Sequence, residues 1–386
     1  MTVRSMVVLL ALCTSCASAN HQRIFEAPRS FTIAEENDAF GFGKTDNDYT
    51  QGLRLGYDFA VWSRQLNVAF RPLSLLALGG SHVPSISRAC TAEVVAQHES
   101  CGQFALTIGQ TEYTPTDLVT TSLVRTERPY AGYLWLGFAR TALFRRAQVT
   151  SEIDVGWVGP HALAREGQSL AHWTWSSDNP APQGWHHQLG DMPQLSLVNQ
   201  YAFRVLEGCG RRWDGRRCTG GYNEARWFDF APHATLIAGT VTTRASGGAT
   251  LRVGMRMPQT TMRQNIVVSR TAVAAQQPGP PPSWWKRHRL WFMGVVSGDE
   301  NLVGHNALLS GTRNDGGPGE WREQRQIRTR RQFGEWSFGA GVGMSEFTLI
   351  YQIVSRGAEY DPVPAQPTRP THRFGSITLS IHQPAR

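Results

Sequence analysis

After the N-terminal segment, no stretch reaches the roughly 18 consecutive apolar residues that a membrane-spanning helix needs, which excludes a helical membrane protein. Cysteine is scarce, with six in 386 residues, two of them (Cys13 and Cys16) close to the start. The other four fall into two local pairs, Cys90 with Cys101 and Cys209 with Cys218. Neither pair has the Cys-x-x-Cys spacing of a zinc site. An even count in an exported chain points instead to disulfides formed in an oxidising compartment. A complete Gly-x-Ser-x-Gly elbow is also lacking: "GQSLA" (Gly167 to Ala171) ends in alanine, which leaves Ser169 a minor nucleophile candidate. Acidic residues are outnumbered, 30 against 38 basic, for a net charge of +8. That balance suits a phosphate-bearing lipid surface or an anionic substrate, and also an ordinary basic protein.

What is present begins with an export signal. Arg4 supplies the positive region, "MVVLLALC" (Met6 to Cys13) the apolar core and "ASA" (Ala17 to Ala19) the small-residue cleavage site. Cleavage after Ala19 is expected. This leaves residues 20–386 as a single domain after a 1–19 signal peptide. Cys16 fits a lipoprotein cysteine poorly, because Cys13 stands three residues before it.

The remainder alternates with period two. Leu53, Leu55 and Tyr57 alternate with Arg54, Gly56 and Asp58, and Leu251, Val253 and Met255 with Thr250, Arg252 and Gly254. Strand side chains point alternately to opposite faces, so each such segment has one apolar and one polar or small face. In a soluble sandwich the apolar face points inward; in an outer-membrane barrel it points outward to lipid. The export signal, strands long enough to cross a bilayer, glycine- and charge-rich opposite faces, and hairpins joined by turns of very unequal length favour the barrel. The expected fold class is therefore all-β: a transmembrane antiparallel barrel of about twelve strands. The segments lie near 30–36, 51–60, 104–113, 132–143, 147–158, 193–204, 231–242, 247–257, 289–297, 333–343, 346–355 and 373–382. With both ends in the periplasm, the outward loops are 37–50, 114–131, 159–192, 243–246, 298–332 and 356–372. Both cysteine pairs then fall on the oxidising side. Tyr130, Trp135 and Trp157 read as membrane-interface anchors.

The first outward loop, within "ENDAFGFGKTDNDYTQG" (Glu36 to Gly52), is richer in acids and amides than a turn requires. It carries Asn37, Asp38, Asp46, Asp48, Tyr49 and Thr50. The third carries His161, Gln168, His172, Trp185, His186, His187 and Gln188. The stretches "ENDAF…TDNDYTQGLRLGY", "TPTDLVTTSLVRTERPYAGYLWLG", "GPHALAREGQSLAHW", "QGWHHQL" and "HRFGSITLSI" resemble the outer-membrane lipid A 3′-O-deacylases over nearly all of the mature chain. The resemblance implies a twelve-stranded barrel that removes a 3′-linked acyl chain from the lipid A of lipopolysaccharide. By position, Asn37, Asp38 and Thr50 match the family's first-loop residues, His172 its catalytic histidine and Gln168 the accompanying glutamine. It also implies an association with calcium, for which Asp38 is the candidate ligand, and a monomer embedded in outer-membrane lipid with no nucleic-acid partner. The chain departs from the family at "TPTDLVTTSLVR", which has no lysine, at Met192, at His186 and at the non-aromatic ending "HQPAR".

The chemistry agrees with the resemblance. A histidine can take a proton from water near neutral pH, and an acidic or amide partner can fix its tautomer. The oxyanion needs donors or a cation. Lys44, Arg125, Arg128 and Arg165 at the mouth would hold lipid phosphates. The alternatives are a non-catalytic barrel (a pore or lipopolysaccharide binder), a phospholipase-type barrel hydrolase, and an exported soluble sandwich. The bland readings are turn-forming Asx residues, solvated loop histidines and solvated arginines.

Overall fold

The computed structural model describes residues 29–41, 48–59, 101–144, 146–175, 181–209, 226–257, 290–312, 320–344, 347–363 and 371–383. The expected signal peptide, Lys44, Asp46, Cys90 and Cys218 lie outside these residues.

The described residues form fifteen strands: β1 (Arg29–Asn37), β2 (Asp48–Phe59), β3 (Cys101–Thr114), β4 (Ala131–Leu143), β5 (Ala147–Val158), β6 (Met192–Phe203), β7 (Leu206–Cys209), β8 (Arg226–Gly239), β9 (Thr242–Met255), β10 (Trp291–Asn306), β11 (Ile327–Thr329), β12 (Gln332–Met344), β13 (Phe347–Gly357), β14 (Tyr360–Pro362) and β15 (Thr371–Gln383). Twelve of them form a closed antiparallel barrel. Each strand pairs with its sequence neighbours, β1 pairs with β15, and β6 pairs with β8. The short β7 adds to β8, and β11 pairs with β14 in a separate ribbon among the loops. Barrel strands run from 9 to 16 residues, enough to cross a bilayer when tilted.

The alternation read from the sequence resolves in favour of lipid outside. Leu106, Ile108, Leu136, Val155, Val253 and Val296 are exposed. Thr32, Arg54, Thr107, Glu152, Thr378 and Ser380, on the other parity, are buried. These inward groups pair with one another. Arg54 bonds Glu152 at 2.7 Å, Thr107 donates to the same carboxylate at 2.8 Å, and Thr32 bonds Ser380 at 2.8 Å. A buried ion pair persists only when its lone pairs and protons are matched in this way.

One end of the barrel bears the long connections. Its lumen is capped by α2 (Ala307–Ser310) and α3 (Glu320–Gln324); α1 (Ala164–Trp175) belongs to the candidate site. Leu308, Leu309 and Trp321 join Tyr49, Tyr113 and Phe374 in one buried cluster, and the Trp321 indole donates to the Leu309 carbonyl at 3.2 Å. Cys101 and Cys209, towards the opposite end, are each disulfide-bonded; their pairing with Cys90 and Cys218 stays a proposal.

Two of the outward-loop boundaries differ most from the sequence reading. The β8–β9 turn is residues 240–241, so 243–246 belongs to β9 rather than to a loop. β10 continues to Asn306, so the loop expected from 298 starts nine residues later, at 307. Both strands run on past the apolar belt, where the outward face has no lipid to match. Trp135 and Tyr130 are also not interface anchors. Trp135 is 2% exposed and faces inward, and Tyr130 is 3% exposed beneath the loops.

Candidate active site

Helix α1 (Ala164–Trp175) lies against the outside of the barrel wall, not in its mouth. The register places it there. Gln110 and Glu112 alternate with inward Gly109, Thr111 and Tyr113, and so share the outward side of β3 with Leu106 and Ile108. The Gln110 amide donates to the Ala162 carbonyl at 2.6 Å, holding the turn that leads into the helix. Gly132 of β4 lets the helix start close in: a Cβ there would stand 2.5 Å from that of Ala164. Gly167 continues the contact, since a Cβ at this position would meet the carboxylate of Glu112 and, at 2.9 Å, the amide oxygen of Gln110.

Of the first-loop residues, Asn37 joins the same side of the wall from a neighbouring strand. Asn37 is in register with Gln51, and Gln51 with Glu112, giving a polar row across β1, β2 and β3 on the outward side. Gln51 donates to Glu35 at 3.1 Å, one pair further from the rim. Asn37 accepts from the Ala39 amide at 2.8 Å, an Asx turn that starts the tight 38–41 helical turn, and Asp38 within it is 3% exposed. Thr50 sits at the bulge in β2 and bonds Thr114 at 2.7 Å. Gln168 is 1% exposed and accepts from the Trp185 indole at 2.9 Å. His172 lies on α1 one turn beyond Gln168. Gly167 of α1 thus meets Glu112 where an external helix lies on the barrel wall, with Asn37 and Gln51 in the same row of that wall.

The family model described as "Outer membrane protein LpxR" matches residues 6–383. The chain belongs to the LpxR family. It is the family that the first-loop and histidine-segment motifs resemble, and it makes the protein an outer-membrane β-barrel. Among solved structures, LpxR from Salmonella typhimurium superposes with a TM-score of 0.63 at 15% identity, covering 91% of this chain and 99% of that one. At that identity the likeness speaks to the fold alone. The β domain of the Bordetella autotransporter BrkA covers 92% of this chain and 98% of that one at 8% identity, but with a TM-score of only 0.39. No curated protein matches by sequence.

The four cations expected at the mouth of this LpxR-family barrel separate. Arg125 and Arg165 are exposed. Arg128 is not a solvent-facing anchor: it is 1% exposed, its guanidinium lies 4.3 Å from the Tyr113 ring centroid, and it pairs with Glu359 at 3.6 Å and Asp48 at 4.0 Å. It ties the loops to the cap. Lys44 lies outside the described residues. His186 is exposed, and His187 bonds the Thr121 carbonyl at 3.1 Å, which places both at the rim. His161 pairs with Asp191 at 2.7 Å. Among the described residues, no three His, Cys, Asp or Glu side chains converge as a metal set. Calcium at Asp38 stays a proposal, and no step below is routed through a metal.

The sequence reading missed Glu35, Gln51, Gln110 and Glu112 as site residues. Their signal was there: polar residues on the same parity as Leu106 and Ile108 interrupt an apolar face, which is costly towards lipid unless something covers them.

Proposed function

We propose that the protein is a lipid A deacylase of the outer membrane, an ester hydrolase that removes a 3′-linked acyl chain with water activated by His172. The observation that carries this reading is the polar row Asn37–Gln51–Glu112 on the lipid-facing wall, with the helix that bears Gln168 and His172 lying over its Glu112 end. A membrane-resident ester can reach such a site sideways, without leaving the outer leaflet. Membership of the LpxR family supports the same substrate.

In the proposed reaction His172 takes a proton from water as the oxygen adds to the acyl carbonyl carbon. The carbon–oxygen bond to the sugar then breaks, and the sugar oxygen takes that proton from the imidazole. The products are a free fatty acid and a sugar hydroxyl. Asn37, Asp38 and Thr50 shape the first-loop side of the site and orient the water or the carbonyl. Exposed Arg125 and Arg165, with Lys44, attract the phosphates of lipid A.

The test is the mass of lipid A from membranes that contain the wild-type protein, the His172→Ala variant or neither. Loss of one acyl chain with the wild type alone is expected. Unchanged lipid A in a host carrying the full substrate, with the barrel correctly assembled, overturns the reading.

A further inference from the structure

We infer that Trp185 is a positioning residue: it turns the Gln168 amide so that its NH2 group donates a hydrogen bond to the carbonyl oxygen of the ester under attack. This deepens the hydrolase reading and rests on it.

An amide side chain can usually be turned either way, as donor or as acceptor. Here that freedom is removed. An indole N–H can only donate, and that of Trp185 lies 2.9 Å from Oε1 of Gln168. The oxygen must therefore face the indole, and the NH2 group must face away from it. Gln168 is 1% exposed, and among the described residues its Nε2 has no hydrogen-bond partner. Native structures rarely keep a buried donor unmatched without a use for it. The amide stands on α1 next to Gly167, which rests on Glu112 of the wall, and one turn before His172. Four residues apart on one helix, Gln168 and His172 share a face, which is why we assign the unmatched donor to the ester that His172 serves.

Trp185 is in turn held rigidly. Its ring lies 5.0 Å from that of Tyr130, whose hydroxyl donates to the Leu118 carbonyl at 3.3 Å. The turn carrying Trp185 is tied to the same loop by the Leu189 amide, which donates to the Tyr130 carbonyl at 2.9 Å. A fixed donor aimed at a carbonyl oxygen strengthens as negative charge grows there, which assists the chemical step more than binding.

Three variants test the assignment in purified, micelle-folded protein. Q168E keeps an acceptor for the indole and loses the donor; its kcat on lipid A is expected to fall about 100-fold with KM little changed. W185F keeps the ring against Tyr130 and loses the N–H, so the amide can turn; a fall in kcat of about 10-fold is expected, again with KM held. In nitrogen–proton NMR spectra the indole signal that W185F removes should move and exchange faster in Q168L, and stay in place in Q168E. A Q168E enzyme with wild-type kcat overturns the donor role. Wild-type kcat in W185F, or an indole signal indifferent to Q168L, overturns the positioning role. A wild-type protein that cleaves no ester overturns the hydrolase reading and the donor role with it. The indole signal is read without turnover, so that failure stays distinct from a wrongly assigned amide.

Discussion

Gly167 of α1 rests directly on the carboxylate of Glu112, a residue 1% exposed on the lipid-facing side of β3. A side chain at position 167 would have to push either the helix or the carboxylate aside. The atom in the way is the far end of a flexible side chain, so Gly167→Ala should fold. What it displaces is the Glu112 carboxylate and the helix face above it. Deacylation is expected to fall at least about 10-fold, by analogy with other displacements of a positioned group. Heat-modifiable migration on gels should show an intact barrel. Full activity in Gly167→Ala would mean that the close contact has no part in the site.

Glu112 also stands directly beneath the helix that carries the proposed base. Glu112→Gln keeps the shape of the side chain and one of its two acceptor oxygens while removing the acid. Its kcat is expected to fall at least about 10-fold in correctly assembled barrels. Single-turnover rates on lipid A for the two proteins check the direction. Wild-type kcat in Glu112→Gln would assign the residue a packing role alone.

Arg128 shows where the sequence was legible and where it was not. The strands were readable because Leu53, Leu55 and Tyr57 repeat every second residue, a pattern only a two-faced strand satisfies. Motif resemblance is what singles out Asn37, Asp38, Thr50, Gln168 and His172 as candidates. Burial of a loop residue has no such periodic signature. An arginine in "RTERPY" reads as solvated, yet Arg128 is enclosed by Tyr113, Glu359 and Asp48, which come from three distant segments. The ends of β9 and β10 were misplaced for a related reason, since outside the membrane the outer face of a strand need not be apolar. Glu112 was visible as a letter but not as a site, because nothing local says that a helix some 50 residues later will cover it.

The two arginines of that loop therefore make opposite predictions. Arg128→Met removes a buried cation from over an aromatic ring and leaves two carboxylates without it, a loss of about 2 kcal/mol or more. Urea unfolding in lipid vesicles should show a lower midpoint with an unchanged slope. Arg125→Gln, at an exposed position, should leave the midpoint alone. It should instead raise KM for phosphorylated lipid A, and added salt should shrink that difference because exposed charges are screened. If Arg125→Gln destabilises and Arg128→Met alters only KM, the assignment of the two residues is reversed.

The final prediction separates the hydrolase from the passive pore. Inward-facing Arg54, Thr107, Glu152, Thr378 and Ser380 are buried, and the loop end is closed by Trp321, Leu308 and Leu309 packed on Tyr49 and Phe374. A water-filled channel would leave such lumen side chains accessible, as in porins with wider barrels. In planar bilayers the purified protein is therefore expected to give no stable conductance steps. Arg54 and Glu152 bond at 2.7 Å in the interior, so Glu152→Gln should destabilise the barrel by leaving a buried guanidinium uncompensated, while conductance stays at baseline. Deacylation by assembled Glu152→Gln protein should persist, because the polar row that includes Glu112 lies on the other side of the wall. Steady porin-like currents through the wild type would contradict the closed lumen. Loss of deacylation in a well-folded Glu152→Gln barrel would mean that the interior, not the lipid-facing wall, holds the chemistry.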